Sequence, residues 1–360
     1  MFISRDGADV GYRAAMGKDK GGGVSSGAPV VTLEQFADSL VVSGSSGSSS
    51  GGKGGKGSGG GGHKKHASKA SITKGVESLG LAGDASTDSG PQVEVSRWDR
   101  NHRVLLLRFP SAAAQRDAMG RPSIYLEDAD FHGTVVERVP SGQRGGVANY
   151  SGHNMRASDL ARFLNTLRAE KPGGGAENAA EAAMVAALTR CGALRTNKDG
   201  AVEAARDDPV VAAVAGSSNR AEIRDALLHE AMHMVFYTDP AYERACYDYW
   251  QGNVTEPDKN VWRNFLTTLR YNAKDEELTV NELQAYMTTE RVMFDDGAGS
   301  SSGGGKNEGR KGGNTTKGGE KGGDLETLAR MQREFAAYIK THASMADPPS
   351  VGANTKVVWL

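Results

Sequence analysis

Apolar residues along the chain fall into two kinds of run, separated by stretches that contain almost none. Between positions 103 and 139 the runs are short and dense. Arg103 to Phe109 reads RVLLLRF, and Ser123 to Leu126 and Thr134 to Val139 are bounded by turn-forming residues, so all three predict strands of a small sheet. Beyond position 157 the spacing lengthens to that of helices. Ser158 to Arg168 sets Leu160, Phe163, Leu164 and Leu167 at the i, i+3, i+4, i+7 positions, and Glu177 to Arg190 gives a second helix stopped near Gly192. Asn219 caps a predicted helix through Tyr237. Asp239 followed by Pro240 opens another to Gln251, before Gly252, and Glu256 with Pro257 repeats the device for Asp258 to Arg270. Its core stripe is Val261, Trp262, Phe265, Leu266 and Leu269. Thr279 begins a helix to Phe294, and Leu325 to Thr341 closes the series with Leu328, Met331, Phe335 and Ile339.

The intervening stretches are Gly/Ser/Lys-rich. Residues 17 to 31 and 43 to 62 predict flexible linkers, the second running into the basic patch His63, Lys64, Lys65, His66 and Lys69. Between them Thr32 to Leu40 predicts a short helix with Thr32 and Gln35 as a capping box. The 48 glycines of the 360 residues are concentrated in these tracts, so one folded domain is expected rather than two. Without the tracts, roughly 230 residues of ordinary composition remain, enough for a sizeable core. The expected organisation is a largely disordered region at 1–90, a domain at 91–345 interrupted by an insertion at 295–323, and a C-terminal tail at 346–360. The fold class that follows is α+β, a small N-terminal sheet packed on a mainly helical half.

With 43 basic and 44 acidic side chains, no bulk field draws the protein to nucleic acid or to an anionic membrane. The basic tracts at 63 to 74 and 306 to 321 lack the interleaved aromatics that stack on bases, so nucleic acid is not an expected partner. Cys191 and Cys246 stand alone, outside any CxxC pattern, and read as thiols of a reducing compartment. Neither a secretory signal nor a membrane span is recognisable, so a cytoplasmic or otherwise intracellular location is expected.

The chemistry concentrates in the helix capped by Asn219. Leu227-Leu228-His229-Glu230-Ala231-Met232-His233-Met234 contains HExxH, which places two imidazoles four residues apart on one helical face, where both can reach one ion. Zn2+ accepts neutral imidazole nitrogen, and Glu230 stands beside the pair, where it can take a proton from a water molecule. A catalytic zinc needs a third protein ligand. Asp239 follows His233 at the spacing of the HExxHxxGxxH/D pattern, but Phe236 occupies the glycine position that pattern needs, and Asp239 is also the cap before Pro240. Glu282 lies on a later helix, 49 residues beyond His233, and is the preferred third ligand. Its competing reading is structural, because Thr279-x-x-Glu282 has the form of a capping box.

His229-Glu230-x-x-His233 followed by a helix carrying Asn281-Glu282-x-x-Ala285-Tyr286 resembles the gluzincin metallopeptidases, over about residues 219 to 294. The upstream segment, with Tyr125-Leu126-Glu127-Asp128, Phe131-His132-Gly133 and Tyr150-Ser151-Gly152-His153-Asn154, is similar to uncharacterised bacterial peptidase domains. The resemblance implies zinc held by His229, His233 and Glu282, Glu230 as general base, and a sheet edge above the active-site helix that binds an extended peptide. The chain departs from the thermolysin-like form at Tyr286, where that form has an aspartate supporting the first histidine.

The expected function is therefore zinc-dependent hydrolysis of peptide bonds in a peptide or protein substrate. A donor for the oxyanion is sought among Tyr286, His153 and Tyr271, and Asp225, one turn before His229, is a candidate for orienting an imidazole. The alternative is a non-catalytic zinc-binding scaffold with partner-binding tails. Glu230 speaks against it, since a purely structural site does not require that residue.

Overall fold

The computed structural model describes residues 30–42, 93–99, 101–171, 176–217, 219–290, 319–343 and 356–360. The basic patch at 63 to 74 and most of the insertion lie outside them.

Strand β1 (Val30–Thr32) runs straight into α1 (Leu33–Ser39), where the expected reciprocal cap forms. The Thr32 hydroxyl accepts from the Gln35 N–H and the Gln35 side chain accepts from the Thr32 N–H. After β2 (Glu94–Trp98), the RVLLLRF run becomes β3 (Val104–Arg108) as expected. The next two expected strands do not form. Ser123 to Leu126 lies inside α2 (Ala112–Glu127), which Ser111 caps by accepting from the Ala114 N–H. Pro122 removes one N–H from its middle, yet the alanine-rich start and the packing of a buried face hold the helix together. At Gly120 a β-carbon would sit 2.8 Å from Val139 Cγ2, so only glycine lets the following loop approach this closely. That loop is Thr134 to Val139. It cannot ladder as a strand because the Arg121 guanidinium donates to the carbonyls of Val136 and Glu137.

A 3-10 stretch, Gly142–Asn149, leads into β4 (Gly152–Arg156), then α3 (Ala157–Glu170), α4 (Ala179–Arg190), the hairpin β5 (Leu194–Thr196) and β6 (Val202–Ala204), and β7 (Val210–Val214). Five helices follow, four of them in one run: α5 (Arg220–Thr238), α6 (Pro240–Gly252), α7 (Glu256–Thr268), α8 (Glu276–Thr289) and, later in the chain, α9 (Gly319–His342). Asp239 caps α6 with Pro240 at its first position, as expected, but α7 is capped one residue earlier than expected, by Thr255. A short hydroxyl reaches the Asp258 N–H, a role glutamate fills poorly. The last helix begins at Gly319, inside the stretch assigned to the insertion.

The residues expected to form a C-terminal tail supply β8 (Lys356–Trp359). This strand lies between β1 and β2, giving a six-stranded sheet of order β1-β8-β2-β3-β7-β4, in which only the β3–β7 pair is parallel. Lys-Val-Val-Trp is a strand sequence too short to recognise, and its partners are hundreds of positions away. The fold is α+β, as the sequence predicts, with the sheet covered on both faces.

One face packs Leu105, Leu107, Val211 and Ala213 against Phe163, Leu164 and Met184 of α3 and α4. The other packs Val104, Leu106, Val210 and Ala212 against Ile223, Leu227, Ala231 and Met234 of α5. The opposite side of α5 sends Met232 and Phe236 into a third cluster with Tyr242, Trp250, Trp262, Leu283 and Phe335 of α6 to α9. Each fully buried side chain of this kind contributes about 1.5–3 kcal/mol. Helix α5 is therefore clamped between sheet and helical half, which fixes whatever it carries. Among the described residues, no helix is long and apolar enough to cross a membrane.

Candidate metal centre

Helix α5 spends its apolar residues on two partners, and the remaining strip carries His229, Glu230 and His233. Helix α8 faces that strip. Every residue from Thr279 to Met287 on it is buried, so a polar group there has been placed against the usual preference. Thr279 is not a cap. It lies inside α8, where its hydroxyl donates to the Asp275 carbonyl at 2.6 Å, and Asp275 itself caps the helix by accepting from the Leu278 N–H. Glu282 is thereby released from the capping role.

Its carboxylate meets the two histidines. Glu282 Oε2 lies 3.8 Å from His229 Nε2, and Glu282 Oε1 lies 3.7 Å from His233 Nε2. One ligand atom from each residue falls within 4.8 Å of the others, and among the described residues no other group of three His, Cys, Asp or Glu side chains does this. Ligand atoms around a tetrahedral zinc are about 3.3–3.5 Å apart, given bonds of about 2.0–2.2 Å.

The hydrogen bonds on the far side of each ring fix which nitrogen is free. His233 Nδ1 is 2.9 Å from Asn281 Oδ1, so its proton sits on Nδ1. His229 Nδ1 is 3.3 Å from Thr289 Oγ1, whose own proton goes to the Ala285 carbonyl, so this hydroxyl also accepts. Both Nε2 lone pairs then point at Glu282. Burial pushes both imidazoles down to about 4, which keeps them neutral at ordinary pH. For Glu282, burial pushes the carboxyl up to about 7, against opposing effects of His233 and the Tyr271 hydroxyl. Among the described residues, its Oε2 is buried without a hydrogen-bond partner. Two neutral imidazoles and an under-satisfied carboxylate form a donor set that fits a divalent ion such as zinc.

Glu230 stands on the opposite side of the strip, against β4. Asn154 Nδ2 donates to its Oε2 at 2.9 Å. A β-carbon at Gly152 would fall 2.1 Å from its Oε1, so glycine is required for the carboxylate to lie there. Burial and the charge of Glu282 push Glu230 up to about 8, while the Asn154 hydrogen bond pulls the other way. Glu127, at the end of α2, joins the same field, its carboxyl raised well above its ordinary value by burial, then by Glu282 and Glu230.

Strand β4 is an edge of the sheet. Ala215 donates to the Ser151 carbonyl and Ala157 to the Pro209 carbonyl, which turns the backbone groups of 151, 153, 155 and 157 toward β7. The N–H and C=O groups of Gly152 and Asn154, and the N–H of Arg156, consequently face outward, beside Glu230, while the Arg156 carbonyl serves as the cap of α3.

The same alternation removes His153 from the site. Its side chain points to the other face of the sheet, where Nδ1 meets Ser123 Oγ of α2 at 3.0 Å, away from Glu230. Asp239 is an exposed cap that accepts from the Ala241 and Tyr242 N–H groups, and it takes no part in the metal group. Asp225 is exposed, and Thr289 does the orienting expected of it. Tyr286 is buried edge-on against the His229 ring, with centroids 4.7 Å apart, and packs on Trp262 and Phe265. Tyr271 enters from the turn after α7, where Arg270 adopts φ 72° and is held by Asp128 and Asp130. Sequence reasoning missed Gly152, Asn154, Asn281 and Thr289. Asn154 and Gly152 flank the histidine that drew attention instead.

Compared with family models, with curated proteins and with solved structures, the chain matches none of them.

Proposed function

We propose that the chain is a zinc-dependent metallopeptidase of the gluzincin kind, with His229, His233 and Glu282 as the metal ligands. The observation that carries this reading is the convergence of two tautomer-fixed Nε2 atoms on a buried, under-satisfied carboxylate, with a second carboxylate beside them at a sheet edge. When bound there, zinc supplies a Lewis acid that polarises the scissile carbonyl and lowers the pKa of water.

The chain's own residues supply the rest. Outward-facing backbone groups at Gly152 and Asn154, with the Arg156 N–H, pair with an extended peptide by strand addition, which sets its scissile bond alongside Glu230. Glu230 accepts the proton of the attacking water and passes it to the leaving amine. Asn154 holds that carboxylate in one orientation, and the absence of a side chain at Gly152 gives it room. Tyr271 and Tyr286, both buried and both within reach of the Glu282 charge, are the hydroxyls available to the oxyanion.

The test is metal content and peptide hydrolysis of the full chain. About one zinc per chain is expected, retained in Glu230→Gln and lost in Glu282→Ala and His233→Ala. Hydrolysis of a peptide pool should fall about 10²–10⁴-fold in Glu230→Gln. Unchanged hydrolysis in that variant, or a parent protein that takes up no zinc, sinks the reading.

A further inference from the structure

Gln284 is a completely buried amide on a helix that otherwise fills its surroundings with Val280, Leu283 and Met287. Packing alone would be met by leucine or methionine, so the amide asks for a reason. Both of its ends are engaged. The Tyr242 hydroxyl donates to Gln284 Oε1 at 3.0 Å, and Gln284 Nε2 donates to the Asn281 carbonyl at 2.9 Å and to Asn281 Oδ1 at 3.0 Å. The same Asn281 Oδ1 lies 2.9 Å from His233 Nδ1. Four buried side chains from α6, α8 and α5 thus stand in one line, in which Tyr242 donates to Gln284 and both Gln284 and His233 donate to Asn281 Oδ1.

We propose that Gln284 is a positioning residue for His233: by donating to Asn281 Oδ1 it prevents the Asn281 amide from turning over, and so keeps the imidazole proton on Nδ1. The two ends of an asparagine amide have nearly the same shape and opposite hydrogen-bonding character. A turned Asn281 presents N–H to Nδ1 and drives the proton to Nε2, the nitrogen that faces Glu282 and must be free to ligate. Gln284 cannot turn in its place, because its Nε2 is also held by the Asn281 backbone carbonyl and its Oε1 by Tyr242. This inference rests on the metal-binding reading of the site, but the tautomer itself is a property of the metal-free protein.

The experiment uses the full chain without metal. Long-range ¹H–¹⁵N spectra of the His233 side chain report which nitrogen carries the proton, and competition with a chromogenic chelator reports zinc affinity. The parent protein is expected to carry the proton on Nδ1. Gln284→Glu can only accept, so it draws the Asn281 N–H toward itself. The proton should move to Nε2 and zinc affinity should fall tenfold or more. Gln284→Met removes the anchor and should give both tautomers. Adding Asn281→Asp, which can only accept, should return the proton to Nδ1 and the affinity to within about threefold of the parent. An Nδ1 proton unmoved in both Gln284 variants overturns the proposal. If Gln284→Glu does not fold, the methionine pair decides. A loss that Asn281→Asp leaves uncorrected means that Gln284 only packs, and overturns it too. A parent that takes up no zinc yet shows the tautomer switch defeats the metal reading while upholding the positioning role.

Discussion

Two of the buried carboxylates, Glu181 and Glu282, are treated in opposite ways. Behind the sheet, Glu181 is closed off completely. Arg121 Nε donates to it at 2.7 Å, the Arg121 terminal nitrogen takes its other oxygen, and the Asn178 N–H adds a further bond at 2.8 Å. Arg121 in turn satisfies the Ala176, Val136 and Glu137 carbonyls. Between α5 and α8, no Lys or Arg among the described residues pairs with Glu282, and its Oε2 has no hydrogen bond there. Charge buried for structure is matched from within, whereas the carboxylate that faces the two histidines is not.

The contrast breaks most visibly at its structural end. Arg121→Met leaves Glu181 buried without its cation and should cost about 3–5 kcal/mol in chemical denaturation. Glu282→Gln, measured on metal-free protein, should cost less than about 1 kcal/mol or stabilise it, because an unmatched acid is being removed. Losses of equal size would erase the distinction between the two regions.

Next in size is the room left for Glu230. Gly152→Ala puts a methyl group where the Glu230 carboxylate lies, and kcat/KM should fall about 10²-fold with zinc still bound. Retained activity would mean that Glu230 works from another position.

The acidity of the open site predicts how zinc affinity varies with pH. Glu282 has a folded value of about 7 without metal, above its ordinary 4.5, so below pH 7 it must lose a proton before it can ligate. The histidines, held near 4, release none above pH 5. Apparent zinc affinity should therefore rise about tenfold per pH unit from 5 to 7 and level off above 7. A slope nearer two in that window would show that an imidazole also titrates. The smallest effect belongs to Thr289→Val. Its bond to His229 is long at 3.3 Å, and that side chain is 14% exposed, so water can replace the hydroxyl and affinity should drop only about threefold.

HExxH and the helices around it were legible because each depends on local pattern, whereas the meeting of Glu282 with the histidines joins elements far apart in sequence. The capping ambiguity at Thr279 was not, since it turns on where α8 begins, and Asp275 starts it one turn earlier than the sequence suggested. Ser123 to Leu126 looked like a strand because Pro122 reads as a break, and tertiary packing overrode it. Strands β7 and β8 were invisible for another reason. Val210–Val214 is alanine-diluted, and Lys356–Trp359 is four residues long, so each is defined by its partners rather than by itself. The choice of His153 over Asn154 was a matter of phase, which no single strand carries until its pairing is known.

Strand β8 has a consequence for timing. Val357 packs in the same cluster as Leu227, Ala231 and Met234, on the face of α5 turned away from the histidines. The seat of that helix is therefore incomplete while the ribosome is still adding residues beyond 340. β1 and β2 wait for a strand that lies hundreds of positions further along the chain, and contacts this distant in sequence form slowly. A nascent chain carries the whole HExxH helix well before the strand that completes its seat, so the strip bearing His229 and His233 is backed on that face only once residues 356 to 359 have been made.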